Sequence, residues 1–246
     1  MDAIMPPVRA AWNWVISLPL PPRCPGCGTI TGELHNFCAD CWRQIEWLGD
    51  AGCRSCGLPL EATDAETCAV CLAKPPIIER TRAAVAYGEI TRTLPLRLKY
   101  SRKVALAKTM SRYMRPLLDE SGEPLLMPVP LHRSRLWSRG FNQAAMLAAE
   151  LGRQCGLAHD AFTLRRKKRT SALKGMSPAQ RKREVAGAFA IANRDLVAGR
   201  RIILVDDVLT TGSTAKACAR ALRRAGASRV DLICWARVVR PAQLIG

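Results

Sequence analysis

The chain has 246 residues, of which 48% are hydrophobic, so it is long enough to bury a core in one domain or in two. Its 38 lysines and arginines outnumber its 20 acids, which gives a formal net charge of +18. This excess favours a phosphate-rich partner such as a nucleotide, a nucleic acid or an anionic lipid. No apolar run approaches the roughly 20 residues needed to span a bilayer, which argues against a membrane span.

The first predicted element is a short helical segment at residues 1–22, packed on the domain that follows. The stretch AAWNWVISLPLPP after Arg9 has the apolar character of a signal peptide. It nevertheless contains Asn13, ends in prolines and lacks a small-residue cleavage site, and these features disfavour export. We therefore expect a cytoplasmic protein.

Cysteine dominates the next segment, residues 23–76. Eight of the eleven cysteines fall in four CxxC pairs, which are Cys24/Cys27, Cys38/Cys41, Cys53/Cys56 and Cys68/Cys71. Two thiolates at this spacing on a tight turn face one tetrahedral ion, so two pairs complete a closed four-cysteine site. We predict a double zinc-ribbon domain with two zinc ions. A disulfide framework is disfavoured because no secretion signal accompanies these cysteines.

The four motifs can combine in two ways. We expect the first motif to pair with the second and the third with the fourth, and an interleaved cross-brace is the alternative. Neither arrangement leaves an evident open coordination position, so both zinc ions are expected to be structural.

The zinc segment is acidic although the whole chain is basic. Residues 24–71 contain seven acids and two bases, and each four-thiolate zinc site adds about two more negative charges. This charge argues against the zinc domain as a nucleic-acid reader, and Trp42 and Trp47 are expected to pack in a core or an interface. The acidic face instead suits a basic protein partner. The acids considered for this contact are Asp50, Glu61, Asp64 and Glu66.

From about residue 77 apolar runs alternate with helical stretches. Strands are predicted at residues 83–87, 125–129, 202–205 and 230–235, and helices at residues 104–118, 143–157 and 213–226. Strands separated by helices require crossover connections, which place the strands in a parallel sheet with helices on both faces. Residues 77–246 are therefore predicted to form an α/β domain.

The most informative motif is IILVDDVLTTGST at residues 202–214. A parallel strand followed by a helix presents ligands at the carboxyl edge of the sheet, and backbone N–H groups at the start of the helix attract a phosphate. Gly212 permits a close approach of the backbone. Asp206 and Asp207 would repel that phosphate, so they suit the hydroxyls of an attached sugar. The motif predicts a site for a ribose 5-phosphate.

This motif resembles the phosphoribosyl pyrophosphate (PRPP) binding motif of type I phosphoribosyltransferases. The order of the cysteine-rich segment, RLKYSRK, PVPLHRSRLWSRGFNQ and the acidic strand is similar to that of the ComF family of competence-associated proteins. The resemblance implies a type I phosphoribosyltransferase-like parallel sheet flanked by helices and preceded by a small cysteine-rich domain. It also implies PRPP with Mg²⁺ as ligand and a link to DNA uptake in natural transformation.

The resemblance also assigns site residues. The residues expected to bind PRPP are Asp206, Asp207, Thr210, Thr211, Gly212, Ser213, Thr214, Arg135, Arg139 and Lys99. Asp206 and Asp207 are the candidate catalytic residues, and the loop at residues 128–135 is expected to hold the pyrophosphate with help from arginine. His132 is either a base or a framework residue, and Asn142 is expected to cap a helix.

The segment at residues 164–183, LRRKKRTSALKGMSPAQRKR, carries nine bases and no acid. Its glycine, proline and serine predict a mobile loop and not a rigid helix. Three interpretations stay open, namely a lid over PRPP, a contact for the backbone of single-stranded DNA, and a solvated surface loop.

Two functions follow from the resemblance. One is a Mg²⁺-dependent phosphoribosyltransferase that works by positioning and electrostatics, with an acceptor that no residue identifies. The other is a non-catalytic accessory protein of competence that binds PRPP and single-stranded DNA and contacts a protein of the DNA-uptake machinery.

Overall fold

A parallel four-stranded sheet forms the centre of the protein. The computed structural model describes residues 21–60, 65–100, 104–167 and 187–239. The strands are β1 (Thr81–Ala86), β2 (Leu125–Pro128), β3 (Leu164–Arg166), β4 (Phe189–Ile191), β5 (Arg201–Leu209) and β6 (Arg229–Arg237). The order in the sheet is β1-β6-β5-β2 with every neighbouring pair parallel, and β3 and β4 form a separate antiparallel pair.

Helices separate the strands of the sheet, as the alternating sequence pattern predicts. Two short helices precede the first strand, α1 (Ala39–Gln44) and α2 (Ala69–Ala73). The helices that follow are α3 (Thr93–Tyr100), α4 (Val104–Met114), α5 (Arg133–Arg139), α6 (Gln143–Cys155) and α7 (Ser213–Arg224). A 3₁₀ turn at Arg115–Leu117 follows α4, because Pro116 cannot donate the next helical hydrogen bond. The predicted α/β architecture is confirmed.

The apolar run of β5 explains why both faces of the sheet are covered. Ile202 and Leu204 belong to the core on the α7 side, whereas Ile203 and Val205 belong to the core that contains α4 and α6. All four side chains are buried. Because successive side chains of a strand point to opposite faces, a continuous apolar run is typical of a strand buried on both sides.

The strand that carries the predicted site is longer than the sequence pattern indicates. β5 continues past Val205 to Leu209 because β6 pairs with it as far as the register of Leu209 with Arg237. Asp206 and Asp207 therefore lie within the hydrogen-bonded strand and not beyond its end.

In the α/β part, α3, α5 and the β3–β4 pair escaped the sequence pattern, and in the cysteine-rich segment α1 and α2 were not predicted. α3 contains Pro95, which is tolerated because it lies in the first turn of the helix. The mobile loop expected across residues 164–183 is wrong for Leu164–Arg166, which forms a strand because Leu164 and Arg166 are buried and pair with β4. Residues 168–186 lie outside the described part of the chain, so the remainder of that prediction is untested.

The cysteine-rich segment covers an edge of the sheet. The backbone N–H of Leu48 donates to the carbonyl of Ala84 at 3.0 Å, and the N–H of Ala86 donates to the carbonyl of Glu46 at 2.9 Å. This stretch runs antiparallel to β1, which is the outer strand in the sheet order. Covering an outer strand protects backbone groups that would otherwise invite pairing with another chain.

Aromatic rings fill the contact between the cysteine-rich segment and the sheet. The ring centroid of Trp47 lies 5.0 Å from that of Tyr113 in α4 and 4.3 Å from that of Trp42. Phe37 stacks on Trp235 of β6, with centroids 6.4 Å apart. The packing role predicted for Trp42 and Trp47 is confirmed.

The helical segment predicted at residues 1–22 falls almost wholly on residues 1–20, which lie outside the described part. The domain boundaries at residues 23–76 and 77–246 stay a prediction. Within the described residues, no helix has both the length and the apolar character that crossing a membrane requires.

Candidate functional site

The eight paired cysteines form two separate clusters. The Sγ atoms within each cluster lie within 4.8 Å of one another. The members are Cys24, Cys27, Cys38 and Cys41 in one cluster and Cys53, Cys56, Cys68 and Cys71 in the other. The first motif therefore pairs with the second and the third with the fourth, so the interleaved alternative is wrong. No disulfide forms among these eight residues.

Both clusters fit tetrahedral zinc. Cys38 and Cys68 each precede a helix, and their backbone N–H groups donate at 3.3 Å to the Sγ atoms of Cys24 and Cys53 respectively. Such donors favour thiolates, the form that binds metal. Although burial opposes ionisation of Cys53, backbone N–H groups that include those of Cys56 and Cys68 lower the pKa of its thiol to about 6. Burial raises the pKa of Cys56 and of Cys71 in the same cluster. Four thiolates leave no open position, which fits structural zinc ions.

Two adjacent carboxylates, Asp206 and Asp207, lie near the C-terminal end of β5. Each accepts a hydrogen bond at 2.9 Å through Oδ1, from the backbone N–H of the residue that follows it. Lys99 in the last turn of α3 places Nζ 3.4 Å from Oδ2 of Asp207. Within the described structure, that Oδ2 has no hydrogen-bond partner although it is buried. The acid pair therefore retains an acceptor for a ligand.

Two negative charges so close together are unfavourable, and this shows in the pKa of Asp206. Burial and the neighbouring charge of Asp207 raise the pKa of Asp206 well above its ordinary value. A buried carboxyl whose pKa is raised by a like charge is typical of a functional site more than of a structural one. Hydroxyl groups of a ligand would compensate the acids by donating hydrogen bonds to them.

The loop after β5 leads directly into α7. Gly212 precedes the helix with φ at +70°, and no side-chain hydrogen bond caps this end of α7. The loop and Asp206 enclose a small pocket of about 60 Å³. The predicted loop residues that line it are Thr210, Thr211, Gly212, Ser213 and Thr214. Uncapped N–H groups at the positive end of a helix suit an anion such as a phosphate.

The acid pair also faces a larger cleft of about 210 Å³. Its charged and polar lining residues include Lys99, Arg139, Asn142, Gln143, Arg166, Asp206 and Asp207. The structure thus brings together predicted site residues from α3, from α5 and from β5. Thr214 lines both the cleft and the smaller pocket, so the two are neighbours. Arg135 belongs to α5, and its side chain lies outside the described part.

The loop after β2 forms one wall of the cleft and is fixed by two helix caps. Asn142 caps α6 as predicted, and its Nδ2 also donates to the carbonyl of Val129 at 3.1 Å. His132 caps α5 by accepting a hydrogen bond at Nδ1 from the backbone N–H of Ser134 at 3.2 Å. His132 therefore has a framework role in the fold.

Two lining residues, Arg166 and Gln143, were not singled out from the sequence. Arg166 lay inside the long basic segment, where charge alone does not distinguish one arginine from the next. Its guanidinium lies 5.5 Å from the ring centroid of Phe189, which helps to hold it against β4. Gln143 is 2% exposed in the first turn of α6. A polar residue at the start of an amphipathic helix carries no sequence signal of burial.

Two of the acids considered for a protein partner form ion pairs within the chain. Glu66 pairs with Arg54 at 2.8 Å, and both side chains are exposed. Asp50 accepts hydrogen bonds from Arg80 at 2.9 Å and from the buried Arg82 of β1. Asp50 therefore ties the cysteine-rich segment to the sheet, while 64% of its side chain stays exposed. Glu61 and Asp64 lie outside the described residues.

Comparison with known protein families agrees with this architecture. A family model described as a double zinc ribbon domain matches residues 15–74, and one described as a phosphoribosyl transferase domain matches residues 137–243. The sheet and the two clusters define a class of protein in which a phosphoribosyltransferase fold follows a double zinc ribbon.

Curated relatives narrow this class to one family. The chain is 32% identical over 230 residues to the DNA utilization protein YhgH of Salmonella typhimurium, covering 90% of this chain and 100% of that protein. It is 35% identical over 197 residues to the Escherichia coli protein of the same name, with 76% and 84% covered. It is 29% identical over 224 residues to competence protein F of Haemophilus influenzae, with 87% and 96% covered. The chain therefore belongs to the ComF family of competence and DNA utilization proteins.

Proposed function

We propose that the protein binds PRPP in the cleft at the end of β5 and acts as a Mg²⁺-dependent phosphoribosyltransferase. The observation that carries this proposal is the position of the acid pair. Asp206 and Asp207 lie between the uncapped start of α7 and the basic residues Lys99 and Arg139. Phosphate, sugar hydroxyls and diphosphate thus have complementary groups in two neighbouring pockets that share Asp206 and Thr214.

Each part of PRPP has a place in this arrangement. The 5-phosphate accepts hydrogen bonds from backbone N–H groups of the loop at residues 210–214, and the ribose hydroxyls donate to Asp206 and Asp207. The diphosphate lies towards Lys99 and Arg139. The carboxylate oxygens also suit Mg²⁺, a hard cation that would enter with PRPP and would supply charge neutralisation for the diphosphate.

The reaction is a displacement at the anomeric carbon. A lone pair of the acceptor forms the new bond while the electron pair of the C–O bond leaves with pyrophosphate. Lys99 and Arg139 stabilise the charge that builds up on the leaving group, and the acid pair stabilises positive charge on the ribose ring. No covalent nucleophile is needed.

Calorimetric titration of PRPP with Mg²⁺ into the zinc-loaded protein tests the site. The double variant Asp206→Ala/Asp207→Ala should bind at least about 100-fold more weakly, since it loses two charged hydrogen-bond acceptors. Asp195→Ala, which removes an exposed acid that lines neither the cleft nor the smaller pocket, should bind as wild type does. If the double variant binds PRPP with wild-type affinity, the acid pair is not part of the binding site.

Turnover separates an enzyme from a PRPP-binding accessory protein. Pyrophosphate released only when a nitrogenous acceptor is added supports the transferase. PRPP binding without release, across a panel of such acceptors, supports the accessory role.

Single-stranded DNA binding is a second candidate function, and an exposed tryptophan favours it. Trp137 in α5 is 90% exposed, and the helix RSRLWSR carries three arginines and no acid. An aromatic ring among guanidinium groups suits stacked bases and phosphates. α5 would give the protein a DNA-binding surface beside the cleft, which Arg139 lines. The basic segment at residues 164–183 lies mostly outside the described part and stays a second candidate for this contact.

Fluorescence anisotropy with a labelled single-stranded oligonucleotide at two salt concentrations tests this surface. Trp137→Ala should weaken binding by about 5-fold to 100-fold, which corresponds to the loss of one stacked base. Leu34→Ala removes an exposed apolar side chain from the acidic zinc segment and should leave binding unchanged. If the affinity for the oligonucleotide changes neither with the salt concentration nor with the Trp137 substitution, this function is rejected.

A further inference from the structure

Gln143 is a buried polar residue within the candidate ligand site. It is the first residue of α6, directly after the cap Asn142, and it lines the cleft together with Arg139 and the acid pair. Its side chain is almost wholly inaccessible, with 2% of the residue exposed. The position thus combines a polar amide with the burial of a core residue.

The amide of Gln143 is not satisfied by the protein. Among the described residues, its Nε2 atom is buried and has no hydrogen-bond partner. An unpaired buried donor destabilises the folded state, and an apolar side chain of the same size would avoid that cost. Because Gln143 lines the cleft, its buried donor is accounted for when a ligand supplies the acceptor.

The groups around Gln143 indicate which kind of ligand atom would accept a hydrogen bond from its Nε2. Gln143 lies at the positive end of α6 and next to the guanidinium-bearing Arg139, so this corner of the cleft attracts negative charge. The start of α7 and its loop form the other anion pocket, which takes the 5-phosphate in the proposed mode. A second anionic group of the same ligand therefore belongs at the start of α6.

We propose that the side-chain amide of Gln143 donates a hydrogen bond to a diphosphate oxygen of PRPP. This inference rests on the proposed function, because it assumes that PRPP occupies the cleft. Gln143 acts as a neutral donor. It orients the diphosphate without adding a charge, whereas Lys99 and Arg139 supply the charge.

The test compares Gln143→Leu with wild type and with Gln154→Leu. Gln154 is in the same helix, but its Nε2 already donates to Glu150 at 2.8 Å and it does not line the cleft. Binding of PRPP, pyrophosphate and ribose 5-phosphate, each with Mg²⁺, is measured by calorimetry. The melting temperature of each ligand-free protein is measured alongside.

Gln143→Leu should bind PRPP and pyrophosphate about tenfold or more weakly, as expected for a lost hydrogen bond to a charged group. Its affinity for ribose 5-phosphate should stay at the wild-type value, and its ligand-free melting temperature should be unchanged or higher. Gln154→Leu should keep wild-type affinity for PRPP. A purely structural Gln143 would not separate pyrophosphate from ribose 5-phosphate in this way.

A second variant, Gln143→Glu, keeps the shape of the side chain and suits the first turn of a helix. It should bind PRPP more weakly still, because a carboxylate repels the diphosphate. Wild-type affinity in both variants overturns the role of Gln143 while PRPP binding itself stands. An equal loss for ribose 5-phosphate overturns the assignment to the diphosphate. Absence of PRPP binding in wild type overturns the proposed function and this inference together.

Discussion

At the scale of residues, Asp206 and Asp207 place two acids side by side in a partly buried site. Asp206 is partly buried, and its neighbour carries the same charge. The nearest compensating charge, Nζ of Lys99, lies 3.4 Å from Asp207. Such a pair destabilises the ligand-free protein and stabilises the complex with a ligand that donates hydrogen bonds. Stability and binding should therefore respond in opposite directions to its removal.

Asp206→Asn tests this opposition. Asparagine keeps the side-chain oxygen that accepts from the N–H of Asp207, but removes the repulsion between the two acids. We expect the ligand-free melting temperature to rise by about 2–4 °C for each kcal/mol relieved, and PRPP affinity to fall. Differential scanning calorimetry at neutral pH measures the first effect, and titration measures the second. The exposed Asp195→Asn is the control, and a lower melting temperature in Asp206→Asn would contradict the argument.

At the level of elements, the junction between β5 and α7 decides where a phosphate can lie. Gly212 holds φ at +70°, a backbone conformation that costs about 1–2 kcal/mol for a residue with a side chain. Gly199, in the turn before β5, has nearly the same φ of +72°. A Cβ atom meets no heavy atom within 3.4 Å at either position. The two glycines differ mainly in their distance from the proposed ligand.

Gly212→Ala and Gly199→Ala should therefore lose similar stability, about 1–2 kcal/mol each in urea unfolding. Only Gly212→Ala should weaken Mg²⁺–PRPP binding, because its methyl group occupies the space where phosphate approaches the backbone. Calorimetric titration of both variants makes the comparison. Unchanged affinity in Gly212→Ala would show that no phosphate approaches this backbone.

For the whole molecule, the cysteine-rich segment is part of the structure of the sheet. It pairs with the edge of β1, and Asp50 neutralises the buried Arg82 of that strand. From the sheet, Arg237 donates to the carbonyl of Cys56, which lies in the second cluster. Loss of zinc should therefore weaken the sheet as well as the zinc ribbon.

Chelation of zinc should release two ions per chain and lower the melting temperature of the whole protein by on the order of 10 °C or more. A colorimetric zinc assay and calorimetry measure the two effects. Cys53→Ser should release one of the two zinc ions and lower the melting temperature by only part of that amount. Cys155→Ser, which lies in neither cluster, should match wild type. If chelation leaves the unfolding temperature of the sheet unchanged, the cysteine-rich segment and the sheet unfold independently.

The sequence predicted best those features whose residues are close together in the chain. The strand at β5, the start of α7 and the pairing of successive CxxC motifs were all confirmed. The strand Leu164–Arg166 was mistaken for a loop, because three residues are too short for an alternating pattern to be recognised. α3 was overlooked because Pro95 is a helix breaker in every part of a helix except its first turn.

By itself, the sequence determined the zinc ligands, the parallel α/β fold and the location of the acid pair before an anion-binding loop. These depend on spacings of a few residues, where local backbone geometry fixes what each side chain can reach. The resemblance anticipated Lys99 and Arg139, but only the tertiary structure decided that Gln143 and Arg166 line the same cleft and that Asp50 pairs with Arg80 and Arg82. These contacts join residues far apart in the chain, and strand order and helix packing, which no short pattern encodes, bring them together.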